Sequence, residues 1–119
     1  MKEELITFET AKLAKEKGFF YKGLMYRKEG TLSDNRGFLY NLNVYSASTQ
    51  SILQKWLREK HNIMVTVSIP YEEFGFYAAE IWGENREDGI KILEIDGMSV
   101  FKTYEEALEE GLQEALKLI

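Results

Sequence analysis

Residues 103–119, TYEEALEEGLQEALKLI, carry the strongest secondary-structure signal in the chain and predict a C-terminal helix. Thr103 and Glu106 have the spacing of a capping box, in which a hydroxyl and a carboxylate each bond a free amide of the first turn. Apolar residues then recur along one face, and a glycine among them, Gly111, costs up to ~1 kcal/mol relative to alanine. We therefore expect a strand or another helix to approach Gly111 closely. The opposite face, which we expect to be solvated, carries Glu105, Glu109, Glu110 and Glu114.

Two further helices are predicted upstream of this one. The first begins at Thr7 as its N-cap and ends at Gly18, because glycine adopts the left-handed conformation easily and the apolar Phe19 can fold back on the last turn. The second begins within residues 46–50, which offer several capping hydroxyls, and ends at Asn62, the next best residue after glycine at a left-handed position. Its apolar residues at one-face spacing are Ile52, Leu53, Trp56 and Leu57.

Between the helices, apolar residues alternate with a period of two, which predicts strands. The predicted strands cover residues 19–26, 38–44, 63–69, 74–82, 90–95 and 98–101, with Asp96-Gly97 as a hairpin turn before the last. Polar loops are predicted at 27–37 and 84–89, and a turn at 70–73. Strands joined by short turns pair antiparallel, and helices that do not alternate with them collect on one face. We therefore predict a single α+β domain over residues 1–119: two layers, with a mostly antiparallel sheet and three helices in the order α-β-β-α-β-β-β(β)-α.

Composition excludes several classes of protein. The 119 residues are 45% hydrophobic and 29% charged, as in a globular protein rather than a disordered one. The absence of cysteine excludes disulfides, thiol catalysis and cysteine-ligated clusters. No apolar run approaches the ~18 residues that a membrane span needs, and the first residues lack the apolar stretch of a signal peptide. We therefore expect no membrane partner and a cytoplasmic location.

The net charge of −5 is distributed unevenly. Residues 1–60 hold eleven Lys or Arg and seven Asp or Glu, a balance of +4, whereas residues 61–119 hold four and thirteen, a balance of −9. Either the chain presents an acidic face to a basic partner or stacks head to tail, or the glutamates simply lie on solvated faces of the last strands and helix. Because generic DNA binding needs a net basic surface, nucleic acid is not the expected partner.

The sequence holds few residues of the types that catalysis uses. His61, the only histidine, lies at a predicted helix C-terminus, where an imidazolium interacts favourably with the helix dipole, and we interpret it as structural. One histidine without cysteine makes a zinc site unexpected, and no glycine-rich phosphate loop occurs. Glu80 falls on the same strand face as Trp82, so it is either a carboxylate beside an aromatic in a groove or a sign that the strand leaves the core or contains a bulge. We predict no catalytic residue, no cofactor and no metal site.

Two surfaces are candidates for binding. Tyr77 and Trp82, together with Glu80, would anchor a protein interface, because aromatic residues at strand edges are typical hot spots. In the basic half, aromatic residues interleave with cations, a combination found in single-strand nucleic-acid platforms and equally in ordinary cores. This alternative nucleic-acid surface comprises Lys22, Arg27, Lys28, Arg36 and Tyr40. A weak homodimer is a further expectation, because an edge strand must be covered or paired.

Residues 11–18 (AKLAKEKG), residues 47–63 (ASTQSILQKWLREKHNI) and residues 103–119 together resemble a family of short uncharacterised proteins from gut anaerobic bacteria and their phages and mobile elements. The family commonly has a proline where this chain has Ser48, a departure confined to the start of the second helix. The resemblance spans nearly the whole chain and implies no activity, because the family has no assigned biochemistry. Separately, the strand–strand–helix ending is similar to that of HicB-type antitoxins.

These observations favour a non-enzymatic accessory or interaction protein of phage or mobile-element origin that acts through a surface. The partner expected is an unknown protein. The alternative is a nucleic-acid-associated protein, single-strand binding or antitoxin-like, that uses the basic aromatic N-terminal half. Salt-dependent binding of single-stranded DNA or RNA distinguishes the two.

Overall fold

The structure, a computed structural model of the chain, describes residues 4–21, 23–34, 44–68, 76–85, 89–94 and 101–119. The helices are α1 (Phe8–Glu16), α2 (Gln50–His61) and α3 (Tyr104–Lys117). The strands are β1 (Leu24–Tyr26), β2 (Leu32–Asp34), β3 (Tyr45–Ser46), β4 (Ile63–Ser68), β5 (Ala78–Asn85) and β6 (Gly89–Glu94). They form two small antiparallel sheets with strand orders β2-β1-β3 and β4-β5-β6. The predicted α+β class, with three helices and antiparallel strands, is confirmed.

Local features of the sequence determine where the three helices begin and where α1 and α2 end. The hydroxyls of Thr7, Thr49 and Thr103 each accept a bond from the backbone N–H three residues further on, at 3.3, 3.4 and 3.1 Å respectively. Beyond the end of α1, Gly18 has a φ of 95°. Asn62 follows α2 with a φ of 55°, in the left-handed region. The predicted helix ends are therefore confirmed, and Thr49 is the hydroxyl that caps α2.

The first strand is shorter than the alternation predicted. β1 begins only at Leu24, because Phe19 completes the end of α1 instead of starting a strand. The Phe19 N–H donates to the carbonyl oxygen of Ala14 at 3.0 Å, and its buried ring contacts Trp56 edge-on, with centroids 5.2 Å apart. The strand prediction is therefore wrong over residues 19–21.

A hairpin takes the place of part of the predicted loop at 27–37. The Arg27 N–H donates to the carbonyl oxygen of Thr31 at 2.8 Å, and the Gly30 N–H donates to that of Arg27 at 2.8 Å. Gly30 has a φ of 91°, a conformation that favours glycine. The reversed chain pairs β2 with β1, so the loop prediction is wrong for residues 32–34.

The remaining strands differ from the predictions mainly at their ends. β4 and β6 are confirmed to within a residue over their described lengths. β5 begins at Ala78 and continues to Asn85, which shortens the predicted loop at 84–89. Val44 precedes β3 and is not itself in a strand. The predictions for residues 38–43, 69–75 and 95–100, including the Asp96-Gly97 turn, lie outside the described residues.

The core lies between the helices and the second sheet. α3 packs on β4 and β5, α2 packs on β4 and α3, and α1 packs on α3. Four leucines at this junction have no exposed surface: Leu53, Leu57, Leu112 and Leu116. Because burial of one such side chain contributes roughly 1.5–3 kcal/mol, these residues are a major source of stability.

Gly111 marks the closest approach of α3 to the second sheet. A Cβ atom at this position would lie 2.7 Å from Cγ1 of Val65 and 2.8 Å from Cβ of Ala79. Both distances are well below the usual ~3.5–4.0 Å between non-bonded carbon atoms. The predicted close approach of a neighbouring element is confirmed, and that element is the β4–β5 pair.

Candidate interaction surface

The face of the second sheet turned away from α3 is the strongest candidate for a binding surface. Gly111 of α3 lies against Val65 of β4 and Ala79 of β5, which identifies the inner face of both strands. Because side chains alternate along a strand, the neighbouring residues point to the opposite face, called here the outer face. Over the stretch where the two strands pair, the outer face comprises Met64, Thr66 and Ser68 of β4 and Ala78, Glu80 and Trp82 of β5. Ala78 is buried, and the other five residues are exposed or partly exposed to solvent.

Met64 and Trp82 form the apolar centre of the outer face. They are direct cross-strand partners, and Met64 is 44% exposed. The Trp82 indole donates its Nε1–H to Oγ1 of Thr66 at 3.2 Å. This bond satisfies the polar atom of the indole and restricts the rotation of its ring. A restrained aromatic ring beside a flexible thioether is a combination typical of interface cores.

Glu80 lies next to this apolar pair on the same face. It is the cross-strand partner of Thr66, and its Oε1 accepts a hydrogen bond from Oγ of Ser68 at 3.3 Å. The prediction that Glu80 and Trp82 share a face agrees with the register, and both side chains are partly exposed. Ile81, between them and only 2% exposed, is the residue that points into the core. A register shift does occur at Ile81 and Trp82, in the pairing with β6.

Tyr77, predicted to anchor the same interface as Trp82, lies apart from the outer face. Its backbone N–H and C=O both bond Phe101, at 2.7 and 2.8 Å. Its ring contacts Tyr104 at the start of α3, with centroids 6.3 Å apart. Trp82, for its part, lies on the central strand of its sheet and not at an edge as expected. The structure therefore brings together Glu80 and Trp82 but not Tyr77.

Part of the predicted nucleic-acid surface falls within the described residues. Arg27 and Lys28 are exposed in the turn between β1 and β2, and Nη2 of Arg27 donates to Oγ of Ser33 at 3.3 Å. The other predicted members, Lys22, Arg36 and Tyr40, lie outside the described residues. The structure thus places two cations of this surface on one hairpin.

Several aromatic rings of the N-terminal half are packed against other rings. Tyr26 and Tyr45 each meet Phe8 edge-on, with centroids 5.6 Å apart. The Tyr26 hydroxyl also donates to the carbonyl oxygen of Ile6 at 2.6 Å. Together with the buried Phe19, these rings serve the core, and their faces are largely unavailable for stacking on bases.

Four other apolar residues of this half are exposed, and the sequence pattern does not indicate them as a group. They are Phe20 (53% exposed), Tyr21 (44%), Leu24 (45%) and Leu32 (50%). Leu24 and Leu32 lie on one face of the β1–β2 hairpin, as diagonal neighbours in the register. The short β1–β2 hairpin could have indicated them. Its second strand, β2, is the outermost described strand of its sheet, and little of the described chain packs on it.

A polar cluster connects the N-termini of α1 and α2 to the middle of α3. Oε2 of Glu109 accepts bonds from the backbone N–H of Thr7 at 3.0 Å, from its hydroxyl at 3.0 Å, and from the hydroxyl of Thr10. Oε1 of Glu109 accepts from Nε2 of Gln50 at 3.0 Å. All four donors are neutral, and a carboxylate is favourable at helix N-termini because of the helix dipole. The expectation that Glu109 belongs to a solvated face is therefore wrong.

The charge of Glu109 also acts on a neighbouring tyrosine. Burial raises the pKa of Tyr26 above its ordinary value of 10.0, and the negative charges of Glu109 and Glu4 raise it further. Thr10, which is completely buried, in turn accepts a bond from Nε2 of Gln113 at 2.9 Å. The cluster is therefore a structural joint in which the polar groups bond one another.

The histidine considered for catalysis, His61, is packed against an aromatic ring. The His61 ring contacts Trp56 edge-on, with centroids 4.8 Å apart. Within the described ranges, no group of three or more His, Cys, Asp or Glu residues is arranged to hold a metal ion. None of the described helices has the length and apolarity needed to cross a bilayer.

In comparisons with known protein families, with curated proteins and with solved structures, the chain has no match. The resemblance to short proteins of phages and mobile elements therefore stays a prediction.

Proposed function

We propose that the chain is a non-enzymatic interaction protein that binds another protein through the outer face of β4 and β5. One observation carries the proposal: Met64 and Trp82 form an apolar pair on this face, and the bond from the indole to Thr66 orients the ring. The 44% exposure of Met64 leaves apolar surface that a partner can bury.

The physical basis is the energetics of interface hot spots. Tryptophan is enriched among the few residues that contribute most of the binding energy, and it does so where a partner excludes water from it. A side chain already held by a hydrogen bond loses less conformational freedom on binding, which lowers the entropic cost of association. Glu80, two residues before Trp82 on β5, supplies a charged acceptor that can orient a donor of the partner.

The non-enzymatic part of the proposal is supported by composition and by packing. The chain has no cysteine, and its single histidine is packed against Trp56. An accessory role in a phage or mobile element, and action in the cytoplasm, belong to the same proposal. They are supported by the sequence resemblance and by the absence of cysteine.

Site-directed photo-crosslinking in the cells that encode the chain tests the proposal. A benzophenone amino acid is placed at Met64, and in a matched control at Lys55, whose side chain is 63% exposed on α2. We expect a protein adduct of defined mass from position 64 only, and we expect Glu80→Arg to abolish it while the variant stays folded. Equal labelling from both positions, or no adduct from position 64, contradicts the proposal.

The second candidate, a nucleic-acid-associated protein, is favoured by the exposed cations Arg27 and Lys28 and by the exposed rings of Phe20 and Tyr21 in the same half of the chain. Titration of labelled single-stranded DNA and RNA tests it. Binding that weakens as salt is raised to roughly 0.2 M, and that Arg27→Glu reduces, supports this candidate. No binding at roughly tens of micromolar protein in low salt contradicts it.

A further inference from the structure

Among the strands that the structure describes, β4 is at the edge of the second sheet, and its sequence is prone to pairing with other strands. Its six residues, IMVTVS, contain no charge, no proline and no glycine, and four of the six are β-branched. Uncharged six-residue segments of high β-propensity are typical of strands that self-pair in register or at sheet edges. Such a segment at the edge of a sheet requires a device that keeps other chains away.

The structure shows a side chain that contacts the backbone of β4. Gln54, on α2, donates from Nε2 to the carbonyl oxygen of Val65 at 2.6 Å, in a partly buried hydrogen bond. Val65 is also the cross-strand partner of Ile81 in β5. Because the Val65 carbonyl bonds Gln54, it points away from β5 and toward the outer edge of the sheet.

The alternation of an antiparallel ladder extends this orientation to other residues of β4. Residues two apart direct their backbone groups to the same side, so Ile63 and Val67 present theirs to the edge as Val65 does. Met64 and Thr66 direct theirs to β5. An incoming strand would need the Val65 carbonyl, at the middle of this edge, as one of its acceptors.

We infer that Gln54 guards the edge of β4 and prevents it from pairing with β4 of a second copy of this chain. The amide both occupies the central acceptor and places its bulk where the backbone of a second strand would lie. The partner that it excludes is a second copy, because antiparallel β4–β4 pairing centred on Val65 brings uncharged residues together and meets no electrostatic repulsion. The inference does not depend on the proposed function.

Replacement of Gln54 tests the inference. Gln54→Ala removes both the amide and the bulk of the side chain, whereas Gln54→Met keeps the side-chain length and removes the amide. In sedimentation velocity over a concentration series, we expect both variants to associate at concentrations where the unaltered chain is still largely monomeric. The expected tightening of the dissociation constant is at least about tenfold, equivalent to ~1.4 kcal/mol.

Two controls connect the association to the edge of β4. Lys55→Ala, at the neighbouring exposed position of α2, should leave the sedimentation of the chain unchanged. Met64→Lys, which adds a charge to β4, should restore the monomer when combined with Gln54→Ala, because charges on an edge strand oppose pairing. Circular dichroism establishes that each variant is folded. A folded Gln54→Ala or Gln54→Met that sediments like the unaltered chain overturns the inference, and so does association that Met64→Lys does not suppress.

Discussion

Replacement of Gly111 by alanine tests the account of how α3 packs on the second sheet. Helix propensity alone predicts that this substitution stabilises the protein by about 1 kcal/mol. The structure predicts that the substitution instead destabilises the protein. The new Cβ would lie 2.7 Å from Cγ1 of Val65 and 2.8 Å from Cβ of Ala79. Val65 can change its rotamer to relieve the first contact, but the second joins two Cβ atoms, which no side-chain rotation can separate.

The magnitude follows from these opposing effects. Overpacking of a dense core costs about 1–3 kcal/mol, and the value should lie in the upper part of that range because a rigid Cβ must move with its strand. After subtraction of the helix-propensity gain, we expect Gly111→Ala to lower the free energy of unfolding by about 1–2 kcal/mol. The melting temperature should fall by roughly 4 °C for each kcal/mol in a domain of this length. Gly111→Leu should be more destabilising still.

Urea denaturation of a double-mutant cycle identifies the cause. Ala79→Gly removes the rigid neighbour, so the cost of Gly111→Ala should fall by about 1 kcal/mol or more in that background. Lys55→Ala and Lys55→Gly, at an exposed position of α2, provide the matched control, since their difference measures the helix-propensity increment in this protein. A Gly111→Ala variant that is more stable than the unaltered chain, or a cycle with no coupling to Ala79→Gly, refutes the packing argument.

Two further predictions concern the polar cluster. Glu109→Gln removes acceptor capacity from donors whose bonds from Thr10 and Gln50 are partly buried, so the free energy of unfolding should fall by about 1–3 kcal/mol. Glu110→Gln, one position along, should change it by less than about 0.5 kcal/mol, and equal effects of the two in urea denaturation would contradict the role of the cluster. Burial, with the charges of Glu109 and Glu4, raises the pKa of Tyr26, so the folded state holds this proton more tightly than the unfolded state. Its contribution to stability is thus fully present below the ordinary pKa of 10.0 and is lost as the pH rises above it. The urea midpoint should decline less steeply above this pH in Tyr26→Phe than in the unaltered chain, and identical pH profiles would rule this out.

The proposed binding surface could be predicted from the sequence only in part. Alternation along β5 was sufficient to place Glu80 and Trp82 on one face, because side-chain direction in a strand depends only on position. It could not show that this face is the outer one, since that depends on which side α3 packs. The same limitation explains why Tyr77 was grouped with Trp82, and why Met64, the cross-strand partner of Trp82, was not.

The sequence by itself determined the α+β class and the ends of the helices. Caps such as Thr103 bond an amide three residues away, and Asn62 depends on its own backbone conformation, so both are encoded locally. Only the tertiary structure decided which groups the side chains of Glu109 and Gln54 bond. Glu109 bonds Thr7, 102 residues away along the chain, and Gln54 of α2 bonds the backbone carbonyl of Val65 in β4. Such contacts arise from how the helices pack, and the local pattern of a solvated helix face is the same whether or not a neighbour is present.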